Sequence, residues 1–149
     1  RSAGMAVFDA APLVGLLLDE PGADAIIDAL TRAEQLTISA INYAEVIDRV
    51  ARVSGVSTPQ VVDTLDVWID VGLLVVPVTA SAASRAAALR VEHYHRRAAA
   101  LSIADCCAIG LALERNDSLA TSDRELVRLA RQLDIEVIAL PDSRGQMPE

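Results

Sequence analysis

Ala6-Val7-Phe8-Asp9-Ala10-Ala11-Pro12-Leu13 places a short apolar run ahead of an acid, and the acid three residues ahead of a proline. Ala6-Val7-Phe8 is too brief for a helix and reads as a buried strand. Pro12 suits the opening of a helix, which Leu13, Val14, Leu16, Leu17 and Leu18 carry on. A strand that runs straight into a helix is the repeating unit of an α/β sheet. Asp9 sits at the joint, and ligand sites in such sheets form just beyond the carboxyl ends of the strands.

The same alternation continues outward. Asp19-Glu20-Pro21-Gly22 breaks the first helix, and a second is expected from about Ala23 to Ala33. Leu36-Thr37-Ile38 reads as a strand, and Ser39 caps a helix ending near Gly55. Thr58-Pro59 opens another helix in the cap-then-proline pattern, closed by Gly72. Leu73-Leu74-Val75-Val76 is continuously apolar, which predicts a strand covered on both faces. An alanine-rich helix follows from about Ser81 to His93, with 93–100 as loop or helix extension. Ser102 starts a helix to about Arg115, Ser118–Thr121 is a strand, Ser122 caps a helix to about Leu133, and Glu136–Ala139 is the last strand. The pattern predicts an α/β domain, with a mainly parallel sheet flanked by helices on both faces.

A chain of 149 residues suits one domain, expected over residues 5–140. Residues 1–4 read as a leftover ahead of a native start at Met5, and 141–149 as a polar, frayed tail. Aromatic residues make up only 3% against 52% hydrophobic, so the core must be built from Ala, Val, Leu and Ile. No apolar run reaches the roughly 18 residues of a membrane span, and no signal-peptide stretch opens the chain, so a cytoplasmic protein without membrane attachment is expected. Cys106 and Cys107 are adjacent, poorly placed to bridge each other and lacking zinc-site spacing, so two reduced, buried thiols are expected. The net charge is −8 and there is no lysine. Passive nucleic-acid binders are basic, so a role on nucleic acid here needs a local cause, and a metal held by clustered carboxylates would supply it. Acidity that serves only solubility explains the charge equally well.

Four acids fall where sites form. Asp9 ends the first strand, Glu45 lies on the helix after the second, Asp105 is in the first turn of its helix, and Asp123 lies two residues past Thr121. Three have a plain structural reading too, while Glu45, mid-helix between Ile41, Ala44 and Val46, is harder to dismiss. Ser102-x-x-Asp105 fits a capping box, and Asp9 and Asp123 fit helix starts, where the dipole favours acids. Grouped together they carry chemistry. Two carboxylates about 4 Å apart repel by about 4 kcal/mol at an effective dielectric of about 20, so a cluster needs a proton or a cation. Oxygen ligands without His or Cys select Mg²⁺ or Mn²⁺ over Zn²⁺. Such ions activate water and stabilise charge on a phosphodiester, with no lysine or histidine base required.

The chain resembles PIN domains at four places in order, over about residues 5–140. Residues 6–13 are similar to the opening motif and Ser39-Ala40-Ile41-Asn42-Tyr43-Ala44-Glu45-Val46 to the second. Leu101-Ser102-Ile103-Ala104-Asp105-Cys106-Cys107-Ala108-Ile109-Gly110-Leu111-Ala112 closely resembles the third, and Ala120-Thr121-Ser122-Asp123-Arg124-Glu125-Leu126 the fourth. Length and the Asp19–Gly22 segment are most similar to the VapC toxins. The resemblance implies a PIN-like three-layer α/β/α fold and a Mg²⁺- or Mn²⁺-dependent endoribonuclease, with Asp9, Glu45, Asp105 and Asp123 as catalytic and metal-holding residues. It further implies a homodimer, a cognate antitoxin forming a higher assembly with it, an antitoxin arginine entering the acidic pocket, and cuts leaving a 5′-phosphate and a 3′-hydroxyl. Ala11 stands where many relatives carry Ser or Thr, which removes a hydroxyl that helps order the site.

Other residues carry two readings each. Asn42, one turn before Glu45, either orients it or is an ordinary surface amide; Thr121 and Ser122 either support the metal site or cap a helix. Arg85, Arg90, Arg96 and Arg97 either grip RNA phosphates through their forked donors or line a solvated face. Trp68 is core or the wall of a groove for a partner's helix. His93 and His95, two apart, point to different faces of a helix and make a poor metal pair. Rival α/β sites fail on single residues: a response-regulator receiver needs a lysine, a haloacid-dehalogenase-like phosphatase needs Asp-x-Asp, and a P-loop needs Gly-Lys. The surviving alternative is a catalytically silent PIN-fold module that acts by binding protein.

Overall fold

The computed structural model describes residues 4–149, so most of the expected leftover at residues 1–4 lies outside the described residues. Along the chain run β1 (Met5–Phe8), α1 (Ala10–Leu17), α2 (Ala23–Arg32), β2 (Gln35–Ser39), α3 (Ala40–Ser54) and α4 (Thr58–Asp70). Then come β3 (Leu73–Val76), α5 (Ala80–His93), α6 (Ile103–Arg115), β4 (Ser118–Thr121), α7 (Arg124–Gln132) and β5 (Val137–Ala139). The strands form one five-stranded sheet in the order β3-β2-β1-β4-β5, every pair parallel. The register sets Val7 beside Thr37 on one side and Leu119 on the other. Parallel pairing puts all five carboxyl ends on the same edge, and this is what collects residues distant in sequence.

Strand period decides the layers. Ala6 and Phe8 of β1 and Ala120 of β4 pack with α1 to α4 through Leu13, Val14, Ile26, Val46 and Leu65. Val7 and Leu119 point the other way and pack with α5 to α7 through Ala86, Ile109, Leu126 and Ala130. The result is the α/β/α sandwich that the alternation predicts, with a core of aliphatic side chains and Phe8. Alanines and Gly110 keep α5 and α6 free of bulk where they meet; a Cβ at Gly110 would touch only Leu89, at 3.7 Å. Cys106 and Cys107 are free thiols buried in this half, as expected.

Four local expectations need correction. β3 is an edge strand, not one covered on both faces: Leu73 is buried, but Leu74 is 41% exposed. Leu73 and Val75 pack into the α1–α4 half, and on the other face Val76 meets the α5–α7 half while Leu74 stays open. Helix α1 starts two residues before Pro12, at Ala10, with Asp9 as its cap; the proline still falls in the first turn, where its missing N–H is not needed. Asp123, not Ser122, caps α7, because its carboxylate accepts from the Glu125 and Leu126 N–H groups. Likewise Ser57, not Thr58, caps α4 and closes a capping box with Gln60. One buried group goes unpaired: Thr37 Oγ1, in the middle of β2, has no hydrogen-bond partner among the described residues.

Candidate active site

Asp9 leaves the end of β1 and caps α1, its Oδ1 accepting from the Ala10 N–H at 2.7 Å. The side chain is buried, 5% exposed. Thr121, at the end of the neighbouring β4, donates its hydroxyl to Asp9 Oδ2 at 2.9 Å. The same hydroxyl accepts from the Asp123 N–H at 3.0 Å. Thr121 thus ties Asp9 to the backbone of Asp123, and it supplies a hydroxyl to a site where Ala11 offers none. Asp123 itself is exposed at the start of α7, with Ser122 half-buried before it.

Glu45 and Asp105 come from opposite layers. Asn42 is fully buried and lies one turn before Glu45, so the two share a helix face. Asn42 Nδ2 donates to Glu45 Oε2 at 3.1 Å and to the Ala104 carbonyl at 3.3 Å. Ser39 completes the lock: its hydroxyl donates to Asn42 Oδ1 at 2.5 Å and accepts the Asn42 N–H at 3.2 Å. Asn42 is therefore no ordinary surface amide. It clips α3 to α6 one residue from Asp105. Asp105 is held by the capping box that its spacing predicts, with the Ser102 N–H on its Oδ2 at 2.7 Å and its own N–H on Ser102 Oγ at 2.9 Å.

Three of the four acids feel a neighbouring carboxylate. Burial pushes Asp9 up to about 7, and the charges of Asp105 and Asp123 add to the rise against the Thr121 and Ala10 hydrogen bonds. Burial also raises Glu45, with Asp105 contributing, and raises Asp105, with Asp123 contributing. Arg49 offsets part of the rise at Glu45, while the influences on Asp9 and Asp105 include no cation. The donor set, hard oxygens alone, fits a divalent cation of the Mg²⁺ or Mn²⁺ kind. The caps nevertheless hold the side chains apart, and among the described residues no three metal-binding side chains are gathered into a ready cage.

The arginines divide. Arg85 pairs with Glu114 at 2.6 Å across α5 and α6. Arg90 donates to the Leu101 carbonyl at 2.9 Å and lies 4.4 Å from the Tyr94 ring centre, so it braces the segment leading into α6. Arg96 and Arg97 form the exposed tip of a tight turn closed by reciprocal His95–Ala99 backbone bonds of 2.9 and 2.8 Å. His95 staples that turn, its Nδ1 accepting from the Arg97 and Ala98 N–H groups at 3.3 and 3.1 Å. Sequence reasoning treated this histidine only as a poor metal ligand; no local pattern announces a side chain that caps a turn. It also passed over Ser39 as more than a cap, and over Arg124, which lines a cleft with Asp123 and Asp142. Trp68 lines an apolar groove of about 220 Å³ with Leu16, Leu30 and Val71.

No curated protein matches the sequence. Among solved structures the chain resembles a toxin–antitoxin complex from Klebsiella pneumoniae, 22% identical over 80% of this chain and 88% of that one, with a TM-score of 0.61. It resembles VapC20 of Mycobacterium tuberculosis, a sarcin–ricin loop cleaving toxin, at 14% identity over 83% and 94% with a TM-score of 0.71. It also resembles VapBC2 of Rickettsia felis bound to a promoter DNA fragment, at 17% identity over 91% and 98% with a TM-score of 0.64. At such identities the likeness speaks for the fold. The PIN domain family model matches residues 6–132, which span β1 to the end of α7 and hold all four acids, and the chain belongs to the PIN-domain family.

Proposed function

We propose that this protein is a metal-dependent endoribonuclease, the toxin of a VapBC-type toxin–antitoxin pair. The observation that supports the reading is that Asp9, Glu45 and Asp105, from three separate segments, are each raised by burial and by the charge of a neighbouring carboxylate. Asp9, Glu45, Asp105 and Asp123 would hold Mg²⁺ or Mn²⁺, which when bound supplies activated water and stabilises charge on the phosphodiester. The chain's own task is to orient these oxygens. Thr121 fixes Asp9 and the Asp123 backbone, Asn42 fixes Glu45, and Ser102 fixes Asp105. Arg96 and Arg97, on their stapled tip just before α6, would meet RNA phosphates, and Arg85 and Arg90, engaged with Glu114 and the Leu101 carbonyl, would assist. Cleavage would leave a 5′-phosphate and a 3′-hydroxyl.

The likeness to toxins solved with their antitoxins supports a protein partner. The groove beside Trp68 would receive an apolar helix face of that antitoxin, and an antitoxin arginine would enter the acidic cleft. A complex that leaves the cleft open to metal and RNA would contradict the second point. The exposed Leu74 and Val78 around β3 would give a second copy of the chain an apolar surface, in keeping with a homodimer. No helix among the described residues is long and apolar enough to cross a membrane, and a cytoplasmic site of action belongs to the same proposal.

The test is cleavage of end-labelled small RNA with Mn²⁺ or Mg²⁺ by the wild type and by Asp105→Asn, with EDTA as control. Metal-dependent cutting that the substitution abolishes is expected; cutting that persists in the variant would refute the site. A silent PIN-fold binding module would neither cut RNA nor bind Mn²⁺ in a titration.

A further inference from the structure

We propose that Tyr94 is a stacking platform for an unpaired RNA base, and that this contact positions a single strand whose phosphate lies at the acids. The inference rests on the ribonuclease reading above and deepens it, because it names the form of RNA that the site takes. The residues involved are Arg90 near the end of α5, Tyr94 at that helix's cap, and Arg96 and Arg97 on the turn that follows.

Exposure singles the ring out. The chain has one tryptophan, two tyrosines and one phenylalanine, and of these only Tyr94 is exposed, at 42%. Phe8 is buried in the core, and Tyr43 and Trp68 pack against it. Helix α5 ends at Tyr94 because that residue turns to extended backbone, with φ −66° and ψ 130°, while its N–H still bonds to the Arg90 carbonyl at 2.8 Å. The Arg90 guanidinium lies over the ring, 4.4 Å from its centre. It covers one face and leaves the opposite face as the one a ligand would meet. Arg90 is itself fixed, because its Nε donates to the Leu101 carbonyl at 2.9 Å. The ring is therefore held in place before any ligand arrives. A fixed π-face takes a base by stacking, and every base has such a face.

The surroundings of the ring favour nucleic acid. Arg96 and Arg97 stand on the tip that His95 staples, and among the described residues neither pairs with a carboxylate. Basic side chains that follow a backbone, beside an aromatic that takes a base, form the pattern by which single strands are held. Stacking needs a base free of its pairing partner, so the RNA is a single strand or a loop and not a duplex. The link to the acids is short. Arg90 joins the ring to Leu101, and the next residue, Ser102, gives its N–H to Asp105 Oδ2 at 2.7 Å. A strand of about two to four nucleotides spans that path. Stacking tolerates every base, so the contact places the strand without choosing its sequence.

The experiment is cleavage kinetics with Mn²⁺ on a short single-stranded RNA of mixed sequence, and on versions of it that each lack one base. Tyr94→Leu should raise KM about tenfold, the size of one stacked base, with kcat and Tm little changed. Tyr94→Phe keeps the ring and should keep the wild-type KM. Removing the base at one position should raise the wild-type KM about tenfold and leave Tyr94→Leu unaffected. Equal KM values for Tyr94→Leu and wild type would overturn the platform, leave the nuclease standing and assign the ring to a protein partner instead. A rise that Tyr94→Phe shares, or a wild type indifferent to every missing base, overturns it as well. Should the wild type cut no RNA, the nuclease reading fails on its own, and fluorescence anisotropy of the same RNA, labelled at one end, decides the ring. Affinity that Tyr94→Leu weakens about tenfold and Tyr94→Phe retains would support the platform; equal affinity in all three proteins, or no binding, would overturn it.

Discussion

Asp9→Asn should make the metal-free protein more stable at pH 8 while removing its response to metal. Asp9 is 5% exposed and raised from 3.8 to about 7, chiefly by burial and then by Asp105. An acid raised in the fold binds more protons there than in the unfolded chain, so stability falls as pH climbs from about 4 to about 7 and stays low above that. At about 1.4 kcal/mol per pH unit, that window holds roughly 4 kcal/mol of destabilisation at pH 8. Asparagine removes the charge and keeps the oxygen that accepts the Ala10 N–H. It disturbs the bond from Thr121 Oγ1, which already accepts the Asp123 N–H, at a cost of about 1 kcal/mol. The net gain is roughly 2–3 kcal/mol, or about 5–10 °C in Tm for a domain of this size. Urea or thermal unfolding in EDTA measures it. At pH 4 the carboxyl is protonated in the fold and nearly half so in the unfolded chain, so the advantage should vanish or reverse. Mn²⁺ at one hundred times its Kd should add about 2.7 kcal/mol to the wild type and nothing to the variant. An Asp9→Asn protein no more stable than wild type at pH 8, or equally favoured at pH 4, would refute a buried, charge-crowded Asp9.

Asn42→Ala removes the clip between α3 and α6 and leaves the Ala104 carbonyl without its side-chain donor, so it should cost roughly 2–3 kcal/mol in urea unfolding and weaken Mn²⁺ binding. A neutral result in both would mean that Asn42 orients nothing. Thr37→Val keeps the shape of a side chain whose hydroxyl is buried without a partner, and should raise stability by about 1 kcal/mol, read as a gain of roughly 2–4 °C in Tm. His95→Ala should loosen the Arg96–Arg97 tip and raise KM for RNA several-fold with kcat little changed. His95→Asn, whose side-chain oxygen can accept the same two N–H groups, should restore it, and equal KM values in the two variants would discount the staple.

How much of this was legible depends on whether a feature is local. The strand and helix order was readable because each strand is a short run with apolar residues and every helix but α2 has a side-chain cap, as Ser39 and Ser102 show. The caps that slipped, Ser57 for Thr58 and Asp123 for Ser122, sit next to a second residue of the same kind, and only the backbone turn decides between them. β3 misled for another reason. A strand's cover depends on its place in the sheet, which four apolar residues do not encode; the order β3-β2-β1-β4-β5 leaves Leu74 in the open. At the site, the acids were readable because each falls just past a strand or in the first turns of a helix. Their supports were not. The Thr121 hydroxyl reaches Asp9 across 112 positions of sequence and Asn42 reaches the Ala104 carbonyl across 62. Both contacts exist only because parallel strands deliver their carboxyl ends to one edge. The double duty proposed for Asp9, Asp105 and Asp123 would follow from the same geometry. A helix starting beyond a strand puts its cap at the sheet's edge, where its positive end favours an acid, so the residue that starts the helix is already pointed at the place where an ion would bind. Capping and the proposed ion binding are therefore compatible for Asp105 and Asp123: the helix start engages one carboxylate oxygen of each.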